Sequence, residues 1–188
     1  SNEVNLLELT SAYGTFANEG LHTEVHGISR ILNRQGKEIW KASYQPVQAL
    51  DPDSAAIMTW MLRNVVEDGT GRAAQLDRPV AGKTGTSDEA RDLWFIGYIP
   101  QLVTGVWLGN DDNKPTSGSS SSAASTWHDF MEVAVKGMPI EKFPSRPKLE
   151  GRKGTITAQR VKPNRIVNRP VEEDGDNSDD DGNNRRGS

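Results

Sequence analysis

The sequence predicts an α+β fold, an antiparallel sheet packed against helices and followed by a disordered C-terminal tail. Three observations carry this. Segments of helical periodicity lie on both sides of a group of short, strand-like segments. Two of those segments are joined only by Pro100-Gln101, far too short for a parallel crossover, so they pair antiparallel. Beyond Pro144 no aromatic residue occurs, and charged residues take over. The 188 residues suffice for one domain, and the low hydrophobic content of 34% reflects mainly this C-terminal stretch.

Taken in order, Leu6, Leu9, Tyr13, Phe16 and Ala17 follow a 3.6-residue period and predict a helix, with Asn18 and Gly20 as its stop. Val25, Ile28, Ile31 and Ile39-Trp40 flank the turn Asn33-Arg34-Gln35-Gly36 and predict a β-hairpin. A second helix opens with Asp51 as N-cap and Pro52 in its first turn, carries Ile57, Met58, Met61, Leu62, Val65 and Val66 on one face, and stops at Asp68-Gly69-Thr70-Gly71. Residues 80–87, 93–99 and 102–108 read as strands. The Ser- and Gly-rich stretch 114–125 reads as a flexible loop. Trp127, Phe130, Met131, Val133, Ala134 and Val135 form a last helix ended by Gly137 and Pro139.

Charge divides the chain in the same way. Of the net charge of -4, residues 144–170 carry a local +7 and residues 171–188 a local -5, which leaves -6 on 1-143. We therefore expect a folded part at 1-143 and a basic linker followed by an acidic low-complexity tail at 144-188, with at most a short strand at 155–161. Without aromatic interleaving the basic segment gives little support to nucleic-acid binding; it reads as a solvated linker in preference to a contact with anionic lipid or wall polymer. Cysteine is absent, which excludes disulfides and Cys-based zinc sites. No stretch reaches the roughly 18 apolar residues of a membrane span and no signal-like segment opens the sequence, so any export signal or anchor is expected outside it.

The chemistry concentrates in Lys83-Thr84-Gly85-Thr86. On a strand, Thr84 and Thr86 project to one side and Lys83 and Gly85 to the other, so two hydroxyls can donate to one carboxylate. Gly85 lets a substrate backbone lie close to the strand, and the Lys83 ammonium favours an anionic ligand or a departing alkoxide. A free strand edge also offers its main-chain groups to an extended peptide. Other candidates are weaker. His22, His26 and His128 read as ordinary polar residues, Asp111-Asp112 as a loop landmark, and the run 174–181 as solvated tail, since it lacks the glycine and glutamate of a calcium loop. Trp94, Phe95, Tyr98 and Trp107 read as sheet-face packing.

K-T-G is one of three signatures shared by penicillin-binding proteins and class A β-lactamases, beside S-x-x-K and S-x-N-type motifs. Its surroundings extend the likeness. Residues 5–20, the run from Met61 through Gly69-Thr70-Gly71 to Ala74, residues 81–87 with Arg91-Asp92-Leu93-Trp94-Phe95-Ile96-Gly97-Tyr98, and residues 106–115 resemble successive blocks of class A (bifunctional) penicillin-binding proteins, in the family's order. The chain is similar to the C-terminal half of such a transpeptidase domain, part of the serine β-lactamase/penicillin-binding fold. The resemblance implies a serine-type DD-transpeptidase that cross-links peptidoglycan through an acyl-enzyme, needs no cofactor, binds a D-Ala-D-Ala stem peptide or a β-lactam, and works on the outer face of the bacterial cytoplasmic membrane from a membrane-anchored parent protein. It implies that Lys83 assists proton movement and anion binding, that Thr84, Gly85 and Thr86 hold the substrate, with the two hydroxyls on its carboxylate, and that the Thr86 N–H forms half of an oxyanion hole.

The other two motifs are not found here. Ser145-Arg146-Pro147-Lys148 is the one S-x-x-K, and it follows K-T-G and contains a proline; no S-x-N occurs. The nucleophile is therefore expected upstream, in the other half of the same domain, and the chain alone is expected to be inactive. A non-catalytic peptide-binding half-domain, and a DD-carboxypeptidase or β-lactamase relative using water as acceptor, remain the alternatives.

Overall fold

The structure, a computed structural model, describes residues 4–148. The predicted tail, including the strand expected at 155–161, lies outside the described residues. The described residues form three α-helices and seven strands, with two short 3-10 turns between them: α1 (Leu6–Ala17), β1 (Leu21–His22), β2 (Arg30–Leu32), β3 (Glu38–Lys41), β4 (Val47–Gln48), α2 (Pro52–Glu67), β5 (Ala81–Thr86), β6 (Asp92–Ile99), β7 (Leu102–Gly109) and α3 (Ser120–Ala134). No helix among the described residues is long and apolar enough to cross a membrane.

The central feature is a three-stranded antiparallel sheet in the order β5-β6-β7. Alternation along β6 sends Leu93, Phe95 and Ile99 to one face, where Trp127, Met131 and Val135 of the α3 segment complete a core. It sends Tyr98 to the other face, against Leu62 of α2 and Tyr13 and Phe16 of α1. Glycines set how closely these layers approach. Gly82 and Gly97 are cross-strand partners. A Cβ on Gly97 would stand 2.6 Å from Phe95 and 2.9 Å from Trp127. The bare backbone there admits the edge-to-face Phe95–Trp127 pair, with ring centroids 5.4 Å apart. The Trp127 indole N–H, also buried, donates to the Thr104 carbonyl at 3.0 Å.

The caps follow from local chemistry. The Asn5 side chain accepts from the Glu8 N–H at 2.8 Å, and Asp51 accepts from the Ser54 N–H at 3.0 Å, each satisfying an otherwise orphaned donor. Asn18 caps the end of α1 and the chain turns through positive φ at Glu19 and Gly20, so the helix stops at the predicted Asn18 and Gly20. The predicted hairpin forms as β2–β3, with Ile31 opposite Trp40, Gly36 at φ 78° and the Asn33 side chain accepting from the N–H groups of Gln35 and Lys37. Its strand residues are all exposed.

Two expectations need correction. The stretch 114–125 is not loop throughout: Ser119 is an N-cap, Ser122 returns its hydroxyl to the Ser119 backbone N–H, and α3 starts at Ser120. Serine is indifferent inside a helix but strong at its start, so a serine run there nucleates the first turn. On α2, Leu62 and Val66 of the expected face are buried and Ile57, Met58 and Val65 half-buried, joined by buried Ala55, Ala56 and Thr59, but Met61 is 44% exposed. The four aromatic residues read as sheet-face packing do pack on the sheet: Phe95 and Tyr98 are fully buried, and Trp94, half-buried, lies opposite the exposed Trp107 with ring centroids 6.4 Å apart. Past α3, Phe143 packs edge-to-face on Tyr98, and the Arg146 guanidinium lies 4.5 Å from the centre of the Trp60 ring.

Candidate functional site

Strand β5 carries Lys83-Thr84-Gly85-Thr86 and occupies one edge of the sheet; no strand among the described residues pairs with its outer side. Cross-strand partners confirm the alternation: Thr84 and Thr86 lie opposite Phe95 and Leu93, and Lys83 and Gly85 opposite Ile96 and Trp94. Lys83 is exposed, and its ammonium donates to the Thr84 carbonyl at 2.7 Å.

The two threonines differ. Thr86 is exposed, whereas Thr84 is 7% exposed and its hydroxyl oxygen lies 2.6 Å from that of Thr70. Thr70 stands on the turn after α2; the sequence offers it as part of a helix stop and of a family-like block, with no role of its own, and its place between two glycines is the signal that could have found it. Both glycines are tightly seated. A Cβ on Gly69 would meet the Val65 carbonyl oxygen at 2.8 Å, and one on Gly71 the Phe95 ring at 3.2 Å. The Gly71 N–H donates to the Val65 carbonyl at 2.9 Å, so the turn closes onto the end of α2.

Gly85 has a reason within the protein as well. A Cβ there would come within 3.2 Å of the Trp94 Cβ, its cross-strand partner, so the glycine seats Trp94 on that face.

The exit from β5 is fixed by a second polar cluster that sequence reasoning missed. Asp92 accepts from the Trp107 indole N–H at 2.8 Å and from the Ser87 hydroxyl at 2.7 Å, and its own N–H donates back to Ser87 Oγ at 2.8 Å. The Trp107 hydrogen bond, then that of Ser87, holds the Asp92 carboxyl below the usual carboxylate range. Between the strands the chain passes through Glu89 and Ala90 at φ 58° and 55°, a left-handed pair without glycine. The carbonyl of Ala90 accepts from the Thr116 N–H at 3.0 Å, and Arg91 pairs with Glu89 at 2.6 Å.

The weaker candidates lie elsewhere. His22 Nδ1 is 3.1 Å from the Thr15 hydroxyl, His26 packs beside Tyr44, and His128 Nδ1 is 2.6 Å from the Gln75 carbonyl. No group of three or more potential ligands among the described residues is arranged to hold a metal ion. Residues 141–148 have no regular structure, so Ser145 does not open a helix. Two hollows, of about 770 and 670 Å³, lie along α1 and beside the β2–β3 arm and are lined by no residue of β5.

A family profile for the penicillin binding protein transpeptidase domain matches residues 2–132. Penicillin-binding protein 1A of Aquifex aeolicus is 39% identical over 149 residues, which covers 77% of this chain and 20% of that protein. Penicillin-binding protein 1A of Neisseria gonorrhoeae is 38% identical over 149 residues, covering 73% of this chain and 18% of that protein. The chain thus spans about a fifth of the length of these relatives. Among solved structures, the penicillin-binding protein PonA1 of Mycobacterium tuberculosis superposes with a TM-score of 0.68 at 27% identity, covering 76% of this chain and 44% of that one. PonA1 in complex with penicillin V gives 0.67 at 28% identity, covering 74% and 40%.

Proposed function

Because this chain belongs to the penicillin-binding protein transpeptidase family, we propose that it is the carboxylate-binding half of a serine-type DD-transpeptidase that cross-links peptidoglycan. One observation carries the reading: within the family-matched span, K-T-G-T lies on a sheet edge that no strand among the described residues pairs with, and Lys83 and Thr86 are both exposed. Residues 1-143 form the C-terminal half of the domain, and 144-188 the linker and tail. The parent protein is held at the outer face of the bacterial cytoplasmic membrane.

In this reading the terminal carboxylate of a D-Ala-D-Ala stem peptide, or of a β-lactam, receives hydrogen bonds from Thr84 and Thr86, while the peptide runs along the β5 edge past Gly85. A serine supplied by the other half of the domain, upstream of these residues, attacks the penultimate carbonyl. The tetrahedral oxyanion is held by the Thr86 N–H and the N–H of that serine. Lys83 supplies positive charge beside the reacting groups and helps pass the serine proton to the leaving D-alanine amine. An acceptor amine then takes the acyl group and restores the serine. The reaction uses side chains and backbone donors, with no cofactor.

Fluorescent penicillin tests this directly. The 188-residue chain should take no covalent label, and a chain extended upstream through its S-x-x-K should be labelled on that serine. Labelling of Ser145, or of any serine within these residues, would overturn the assignment. Labelling of the extended chain with rapid release by water, and no transfer to an amine, would select the carboxypeptidase alternative.

A further inference from the structure

We infer that Thr70 is a positioning residue for ligand carboxylates: its hydroxyl donates to Thr84 and thereby aims the Thr84 proton at the bound carboxylate. The inference rests on the reading of β5 as a carboxylate site.

Two facts carry it. The first is the 2.6 Å approach of the two hydroxyl oxygens, with Thr84 only 7% exposed. The second is how rigidly each partner is mounted. Thr84 sits in register with Phe95, whose ring is locked against Trp127. Gly71, next to Thr70, packs on the same Phe95 ring, and Gly69 closes onto Val65 of α2. One buried ring therefore sets the separation of the hydroxyls.

Proton counting gives the pair its direction. Each hydroxyl has one proton to donate and can accept more than one bond, whereas an ionised carboxylate only accepts. When Thr84 donates to a carboxylate, its bond with Thr70 survives only if Thr70 is the donor. A polarised chain, Thr70 to Thr84 to carboxylate, strengthens the terminal bond and removes the freedom of the Thr84 hydroxyl to turn away. The backbone geometry of K-T-G-T does not impose this; it comes from a turn 14 residues earlier.

The test uses the natural chain extended upstream to include its nucleophile, as wild type and as Thr70→Val, Thr70→Ser, Thr84→Val and the Thr70→Val/Thr84→Val pair. Acylation by benzylpenicillin is resolved into a dissociation constant and a saturating acylation rate, beside benzylpenicillin methyl ester and a thermal melt. Thr70→Val should weaken benzylpenicillin binding about 2- to 10-fold, the worth of one hydrogen bond. The saturating rate should change less, the methyl ester should be nearly insensitive, and Thr70→Ser should restore most of the loss. In the Thr84→Val background, Thr70→Val should add nothing further. Wild-type binding by Thr70→Val, equal losses on acid and ester, or additive losses in the double variant would each overturn the role of Thr70. If Thr84→Val itself leaves benzylpenicillin binding intact, the carboxylate reading of β5 fails, and this inference falls with it.

Discussion

Tyr98 and Thr59 offer the sharpest test of how the substrate-strand sheet is tied to its helices. Tyr98, near the end of the central strand β6, is fully buried, Thr59 on α2 is 3% exposed, and their hydroxyl oxygens are 2.9 Å apart. Neither has water to fall back on, so removing one hydroxyl strands the other. Tyr98→Phe keeps the ring and its edge-to-face contact with Phe143 but leaves Thr59 without its partner. The cost should be about 1–2 kcal/mol, softened because a helical threonine can turn back to the carbonyl one turn earlier. Thr59→Val, nearly the same shape, should cost a similar ~1–2 kcal/mol by stranding the tyrosine. The double variant should lie close to either single one, a coupling of about 1 kcal/mol. Urea unfolding followed by tryptophan fluorescence measures all four. Additive losses, or single losses below about 0.3 kcal/mol, would refute the argument that this bond is buried and unreplaced. Alkali gives an independent check. Burial pushes the Tyr98 hydroxyl up to about 12, against the opposing pull of Thr59. The folded value lies above the unfolded one near 10, so the stability is fully present below about pH 10 and lost as pH rises toward 12. The loss approaches about 3 kcal/mol at two units of displacement, and Tyr98→Phe should flatten it.

Gly97→Ala should destabilise by about 1–3 kcal/mol, because the new methyl meets Phe95 and Trp127 in a filled core; an unchanged melting temperature would contradict that packing. Ser119→Ala should cost about 1 kcal/mol through loss of the α3 cap, measured by thermal unfolding, whereas Ser121→Ala should cost less. Asp92 has a depressed folded pKa, so its contribution is present above the ordinary carboxylate value and is lost as pH falls through the folded one; Asp92→Asn should therefore show a weaker acid dependence in pH-resolved melts. Thr86→Val should weaken binding of carboxylate-bearing penicillin to the extended chain with little effect on folding, since Thr86 is exposed.

The start of α2, the hairpin turn, the antiparallel strands and the position of K-T-G-T were legible in the sequence because each rests on short-range chemistry: a capping side chain, a glycine at positive φ, a two-residue connection, a period of two. The serine run was misassigned because serine favours loops and helix starts alike, and only the packing of Trp127 and Met131 behind it selects the helix. On α2 only Met61 departed from the expected inward face, because hydrophobicity alone ranks it above Ala55 and Thr59.

By itself, then, the sequence determined which strand carries the candidate chemistry and which way its side chains alternate, since pleat and period are local. Tertiary structure decided which of those side chains are free. Thr84 is held by a hydroxyl 14 residues away and Thr86 is open, Gly85 makes room for Trp94, and Asp92 with Trp107 and Ser87 fixes the strand's exit. Apart from the local Ser87–Asp92 pair, these contacts join separate elements, and their existence depends on how closely α2, β6 and β7 approach β5, a distance set by buried glycines and aromatic rings that no local pattern encodes.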